Sequence, residues 1–225
     1  PRLRAQAEAL GVSVPPRPTR DWWHSPDGNL VLFPALFAPP QPDWPVNTFQ
    51  YGFPMEDLAK DQSSDAEVLR FLASGPKPLL FTAGTGNRHA AEFFLEAKIA
   101  VERLGLRAIF ATRHQPDVPA NLPPSICATA YVPFSQVLPW CAALVHHGGI
   151  GTLSQALAAG IPQLIVALAQ DQPDNGLRIR ELGIGDVLMR SQCTSEKLID
   201  MLPRVLAESD QIKLQQIAED LARPQ

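Results

Sequence analysis

The chain has 225 residues, 45% of them hydrophobic and 19% charged, with a formal net charge of −4. That is enough apolar material for a sizeable core. The acidic balance and the lack of a lysine or arginine run argue against nucleic acid, and no stretch nears the roughly 18 consecutive apolar residues of a membrane span. The three cysteines, Cys127, Cys141 and Cys193, lie far apart and fit neither a disulfide framework nor a zinc ribbon. Cys141 heads an apolar run and reads as a buried small hydrophobe. A reducing cytoplasm is the expected compartment. The sequence shows no signal peptide; it opens on Pro1 and reads as a piece of a longer protein.

Residues 1–57 carry many of the 23 prolines, among them Pro15, Pro16, Pro39, Pro40, Pro42, Pro45 and Pro54. Proline fixes φ and removes an amide donor, so this region is expected to be extended and loop-rich, with a strand at Leu30–Phe33. Trp22, Trp23, Phe33, Phe37 and Trp44 are too apolar for a free linker. They pack either on a part of the protein outside this sequence or within a meandering subdomain of this chain.

From Lys77 the pattern becomes an alternation of strands and helices. Pro78–Thr82 reads as a strand, Gly84-Thr85-Gly86 as a turn, and Ala90–Leu104 as a helix with Gly105 as its stop. Strands follow at Ala108–Ala111 and Ile126–Tyr131, a short helix at Phe134–Leu138, a strand at Cys141–Val145 and a helix at Thr152–Ala159, stopped by Gly160. Gln163–Ala167 is a strand and Pro173–Leu182 a helix with proline in its first turn. Val187–Leu188 is a short strand, and Ser195–Ala207 and Gln211–Leu221 are terminal helices. This order predicts an α/β fold, a Rossmann-like parallel sheet with helices on both faces. In such sheets ligands sit beyond the carboxyl ends of the strands. Those ends carry Gly84-Thr85-Gly86, Arg113-His114, Val132-Pro133-Phe134, His146 to Thr152 and Ala169 to Gln172.

The most informative of these loops is His146-His147-Gly148-Gly149-Ile150-Gly151-Thr152. A strand, a glycine-rich turn and a helix N-terminus together free backbone N–H groups and place partial positive charge beside them. An imidazole adds a donor, and Thr152 can cap the helix or offer its hydroxyl to a phosphate. The turn therefore suits a diphosphate; the bland alternative is a tight turn with a capping threonine and a packed histidine. Asp171-Gln172, with Asn175 nearby, pairs a carboxylate with an amide and suits neighbouring sugar hydroxyls. Helix capping by Asp171 ahead of Pro173 is the alternative. Tyr131-Val132-Pro133-Phe134 could hold a nucleobase by stacking and main-chain bonds, or Phe134 could be core. A dinucleotide fingerprint is disfavoured: Gly149-Ile150-Gly151-Thr152-Leu153-Ser154 lacks the third glycine, although Asp171 follows about twenty residues on. No P-loop, HExxH pair or GxSxG elbow occurs.

At these residues the chain resembles family 1 glycosyltransferases of the GT-B fold. His146 to Thr152 looks like their bacterial HHGGxGT donor motif, and Gly160-Ile161-Pro162-Gln163 and Asp171-Gln172-Pro173-Asp174-Asn175 follow at the family's spacing. Phe33 to Pro45 and Gly52-Phe53-Pro54 look like the segment joining the two GT-B domains. With Asp21 to Pro26, that segment is most similar to rhamnolipid-forming rhamnosyltransferases, and more loosely to sterol glucosyltransferases.

The resemblance implies that residues 1–57 are the end of an acceptor domain plus the linker, and that 58–225 bind a UDP- or dTDP-sugar. His147, Gly149, Gly151, Thr152, Gly84 and Thr85 would contact the diphosphate. Tyr131, Val132, Phe134 and Gln155 would meet the nucleoside, with Tyr131 standing where plant members have a stacking tryptophan and Gln155 where they have a glutamate. Asp171 and Gln172 would bind the sugar. No catalytic residue is expected in this sequence, because the family's base and acceptor pocket belong to the preceding domain. The implied reaction is inverting transfer of a hexosyl or rhamnosyl group to an acceptor hydroxyl of a lipid or small hydrophobic molecule, without a metal or further cofactor. The isolated chain is then expected to be inactive, and the longer protein to be cytoplasmic with room for peripheral membrane association. Two alternatives stay open: a nucleotide-sugar 2-epimerase of the same architecture, and a non-catalytic nucleotide-binding module.

Overall fold

The computed structural model describes residues 2–18, 24–55, 65–84 and 90–223. The chain divides into two compact units at Phe53/Pro54. In the first, helix α1 (Arg2–Ala9) precedes strands β1 (Asn29–Leu32) and β2 (Thr48–Tyr51), which pair in parallel. The helix and the second strand were not foreseen among the prolines. Arg2–Ala9 is built of strong helix formers, and Thr48–Tyr51 is only four residues long. Phe33, Phe37, Trp44 and Phe53 pack on one another, with ring centroids 5.9 Å (Phe33–Phe37), 6.2 Å (Phe33–Trp44) and 5.7 Å (Phe37–Phe53) apart. These aromatics thus form a subdomain core of their own. Asp21, Trp22 and Trp23 lie outside the described residues.

The second unit opens with helix α2 (Ala66–Ala73), capped by the Asp65 side chain. It then runs β3 (Leu79–Thr82), α3 (Ala91–Leu104), β4 (Ala108–Ala111), β5 (Ile126–Thr129), α4 (Phe134–Val137), β6 (Ala143–His146), α5 (Ile150–Ala158), β7 (Gln163–Ala167), α6 (Gln172–Glu181), β8 (Gly185–Met189), α7 (Ser195–Glu208) and α8 (Gln211–Ala222). The strands form one six-stranded parallel sheet in the order β5-β4-β3-β6-β7-β8. Every residue of β3, β4, β6 and β7 is buried, as expected of parallel strands covered on both faces. Alternate side chains feed two cores. Phe81, Phe110, Val145 and Leu164 meet Phe94, Leu198 and Leu202 on one face; Leu80, Ile109 and Leu144 meet Val68, Leu138 and Ala156 on the other. Burial pushes the thiols of Cys127 and Cys193 up to about 11 and that of Cys141 to about 12, so they are inert small hydrophobes.

The strand order fixes where a ligand can enter. The chain lays β4 and β5 on one side of β3, then returns and lays β6 on the other. The crossovers leave β3 and β6 in opposite directions, which opens a crevice at the carboxyl ends of these two strands. Thr82 and His146 are partners across that pair, so the loops that follow them face each other.

Candidate functional site: a glycine turn at the switch point

His146 ends β6 fully buried. Its Nδ1 accepts from the Gly148 N–H at 3.2 Å, so its Nε2 carries the proton and donates to Gln163 Oε1 at 2.9 Å. Burial drives its pKa down to about 3, aided by the neighbouring His147 and opposed by the Gln163 bond. His146 is therefore a neutral strut of the turn. The two histidines, alike in sequence, have different work.

His147 points to the crevice side, half-buried. A Cβ on Gly84 would lie 2.4 Å from its Cε1, and a Cβ on Gly149 2.5 Å from its Nε2. The ring is slotted between two glycines that belong to different strand exits. Its Nδ1 is buried with no hydrogen-bond partner among the described residues, a condition that asks for an explanation in a native site. Burial holds its imidazole below the usual histidine range, and the Asp171 carboxylate pulls in the opposite direction.

Helix α5 begins beside this ring. Gly149 is its N-cap and supplies no side-chain cap. The N–H groups of Gly149, Ile150 and Gly151 take no acceptor among the described residues. They are the orphan donors of a helix N-terminus, backed by its macrodipole. Thr152 lies in the first turn, three residues past the cap, with its own N–H bonded to the Gly149 carbonyl at 3.1 Å. The capping role that the sequence allowed for Thr152 is therefore filled by Gly149. Gln155 is half-buried one turn further along. Gly84 has φ +79 at the exit of β3. Thr85 lies outside the described residues.

Asp171 stands at the N-cap position of α6, yet its side chain makes no cap bond. Its Oδ2 accepts from Asn175 Nδ2 at 2.9 Å, and the residue is exposed. Gln172 turns its Oε1 to the Leu168 N–H at 2.8 Å and the Ala169 N–H at 3.3 Å. Two backbone donors fix the oxygen end of that amide, which leaves its NH2 as the group to offer a ligand. The pair thus presents an acceptor from Asp171 beside a donor from Gln172.

The β5 exit carries Tyr131, Val132 and Phe134. The Arg113 guanidinium lies 5.5 Å from the Tyr131 ring centroid, a cation–π contact. Among the described residues the Val132 N–H and carbonyl take no backbone partner. Phe134 packs partly on the core formed by Leu80, Ile109 and Leu144. Helix α4, which it starts, touches α5, the helix that the glycine turn opens. Sequence reading gave no role to Arg113 or Gln163; only the fold brings them to Tyr131 and His146. No cluster of metal-ligating side chains is present among the described residues, and no described helix is long and apolar enough to cross a membrane.

This parallel sheet with helices on both faces is a domain of the GT-B architecture. The solved glycosyltransferase of kitacinnamycin shares the fold, with a TM-score of 0.77, 23% identity, and coverage of 98% of this chain and 56% of that one. The spinosyn forosaminyltransferase SpnP does so with a TM-score of 0.71, 21% identity and coverage of 98% and 56%. Residues 101–225 match the erythromycin biosynthesis protein CIII-like C-terminal domain, and the chain belongs to that family of glycosyltransferase domains. An uncharacterized glycosyltransferase of Mycobacterium tuberculosis is 31% identical over 199 residues, which span 87% of this chain and 46% of the relative. The O-mycaminosyltylonolide 6-deoxyallosyltransferase of Streptomyces fradiae is 33% identical over 159 residues, 70% of this chain and 37% of the relative. The chain spans about half the length of the curated relatives it matches.

Proposed function

We propose that this chain is the donor-binding half of an inverting glycosyltransferase. It would take a UDP- or dTDP-sugar and pass a hexosyl or rhamnosyl group to a hydroxyl of a lipid or small hydrophobic acceptor. One observation carries the reading: among the described residues the N–H groups of Gly149, Ile150 and Gly151 and the buried Nδ1 of His147 have no partner, and the His147 ring lies against Gly149 at the switch point. Donors arranged before the ligand arrives are what a departing diphosphate needs, because its charge grows as the glycosidic bond breaks. Each such donor is worth about 10²–10³ in rate where it has been removed from other enzymes. Helix and imidazole offset the charge, and the reading invokes no metal ion.

The nucleoside would lie over Tyr131 and along Val132, Phe134 and Gln155, with the base bonded to the main chain of Val132, which takes no backbone partner among the described residues. The sugar would meet Asp171 as acceptor and Gln172 as donor. The Streptomyces fradiae relative is named for 6-deoxyallosyl transfer; a rhamnosyl group is likewise a 6-deoxyhexosyl group, which supports that end of the range. The closer likeness to rhamnolipid-forming enzymes belongs to the same proposal.

The longer protein would be cytoplasmic and able to lie at the membrane face. The acceptor pocket and the base that deprotonates the acceptor would belong to a preceding domain, and two facts support that domain. The chain spans about half of its relatives. The two-stranded β1–β2 sheet also leaves Leu30, Leu32, Phe49 and Tyr51 exposed by 66%, 49%, 53% and 57%, all on one face by the register Leu30↔Phe49 and Leu32↔Tyr51. A two-stranded sheet with a bare apolar face is marginal by itself and calls for a cover.

A thermal-shift panel of UDP, dTDP, UDP-glucose and dTDP-rhamnose tests the donor assignment. Stabilisation by one nucleotide series is expected. No shift with any of them contradicts it. Proton exchange at sugar C2 in heavy water would point instead to epimerisation.

A further inference from the structure

The geometry points to Asn175 as a positioning residue that joins the diphosphate turn and the sugar-binding carboxylate into one unit; this rests on the donor-site reading above. Asn175 lies in the first turn of α6 with only 6% of its surface exposed. Its Nδ2 has two protons, and both are used. One goes to the Gly148 carbonyl at 2.9 Å, the other to Asp171 Oδ2 at 2.9 Å. The acceptors sit on loops 23 residues apart in sequence, one following β6 and the other following β7. Neither bond could be made by the oxygen end of the amide, so its orientation is fixed.

The other side of Gly148 is held as firmly. Its N–H bonds to His146 Nδ1, which is itself tied to Gln163. A Cβ on Gly148 would lie 2.7 Å from Ile165 Cγ2, so the turn is pressed against β7. Both polar groups of the Gly148 peptide are thus satisfied by buried side chains, while the N–H groups of the next three residues take no acceptor among the described residues. The turn is shaped before a ligand comes.

Simple helix capping does not account for this. An aspartate at an N-cap ordinarily accepts a backbone N–H from its own first turn. Asp171 makes no such bond and instead takes the Asn175 proton. That bond fixes the carboxylate against the turn and leaves its second oxygen for a sugar hydroxyl. The expected consequence is coupling: where the diphosphate seats, the acid is aimed, and the donor is bound as a whole.

Calorimetry with UDP, dTDP, UDP-glucose and dTDP-rhamnose on the wild type, Asn175→Ala, Asn175→Ser, Asp171→Ala and the double variant Asp171→Ala/Asn175→Ala tests this. Asn175→Ala is expected to weaken the bare nucleotide about tenfold and the nucleotide sugar by a further factor of about five, the scale of one lost hydrogen bond in each place. In the Asp171→Ala background the additional sugar-dependent loss is expected to vanish. A merely structural role would weaken both ligands equally, with losses that add in the double variant; that result overturns the inference and leaves the donor reading standing. A wild type that binds none of the four ligands overturns both. Should the Asn175 variants fail to fold, the wild type still decides. Both Asn175 side-chain amide protons should be slow to exchange and should shift when UDP or dTDP is added; fast exchange without a shift overturns the coupling.

Discussion

The His147 imidazole fills the space that the missing side chain of Gly84 leaves open, 2.4 Å from where a Cβ would be. One strand exit is glycine so that the histidine of another can lie flat in the crevice. Gly84→Ala faces two penalties, the φ of +79 and the collision with the ring. A non-glycine residue in the left-handed region costs about 1–2 kcal/mol, and the clash adds to it. Gly149→Ala meets the same ring at 2.5 Å without a positive φ. Denaturant unfolding should therefore show a larger stability loss for Gly84→Ala than for Gly149→Ala, while both lose nucleotide affinity. Equal stability losses would mean that the backbone conformation at Gly84 carries no weight.

Thr152 separates a capping role from a ligand role. Replacing a capping threonine by alanine costs about 1 kcal/mol. Because Gly149 holds the cap position, Thr152→Ala is expected to leave stability within about 0.5 kcal/mol and to weaken UDP or dTDP about five- to tenfold. Thr152→Ser should keep the affinity. A clear fall in melting temperature with unchanged affinity would return Thr152 to a structural role.

Nucleotide binding should tighten as pH falls. Burial keeps the free His147 imidazole below its ordinary pKa, so it is neutral at pH 7. A diphosphate beside it favours the charged form and raises that pKa. Binding then takes up a proton between the two values, and affinity grows as pH drops through the higher one. The ligand's own phosphate, with a pKa near 6, titrates in the same range. The comparison is therefore with His147→Gln, whose profile should be flatter by up to one proton. Parallel profiles would exclude a proton on His147 in the complex.

His146 gives a stability prediction of opposite standing. Its folded pKa of about 3 lies below the ordinary histidine value of 6.5. Above pH 6.5 the group is neutral in both states and its contribution is fully present. Between pH 6.5 and 3 the unfolded chain takes up a proton that the folded chain refuses, so stability falls as pH falls, by at most about 1.4 kcal/mol per pH unit. Unfolding free energies measured from pH 7 to 4 should carry this slope, reduced in a folded His146→Gln variant. An unchanged slope would show that another group sets the acid limit.

Much of this was legible in the chain. Ala108–Ala111 is wholly apolar, Gln163–Ala167 is apolar after its first residue, and both are short and bounded by loop residues, so strand and boundaries could be read directly. Gly105 and Gly160, at φ +63 and +64, ended their helices as a residue without a Cβ can. Local pattern failed where tertiary context decides. Thr48–Tyr51 is a strand because Asn29–Leu32 lies beside it, and nothing within four residues announces that. In the site, the spacing of His146 and His147 marked the turn but could not say which ring would be buried. Strand alternation sends His146 inward to Gln163, a residue 17 positions away, and only the β6–β7 register shows the pair. Asn175 likewise stood near Asp171 in sequence, but its bond to Gly148 comes from packing two loops together.

The central claim is that a nucleoside diphosphate seats where β6 turns into α5. Amide spectra of the ¹⁵N-labelled chain, recorded with and without UDP and dTDP, test it most directly. The largest shifts should fall on Gly149, Ile150, Gly151 and Thr152, with the His147 ring resonances moving beside them. Saturable binding that moves another part of the sheet and leaves those four amides and that ring unchanged would contradict it.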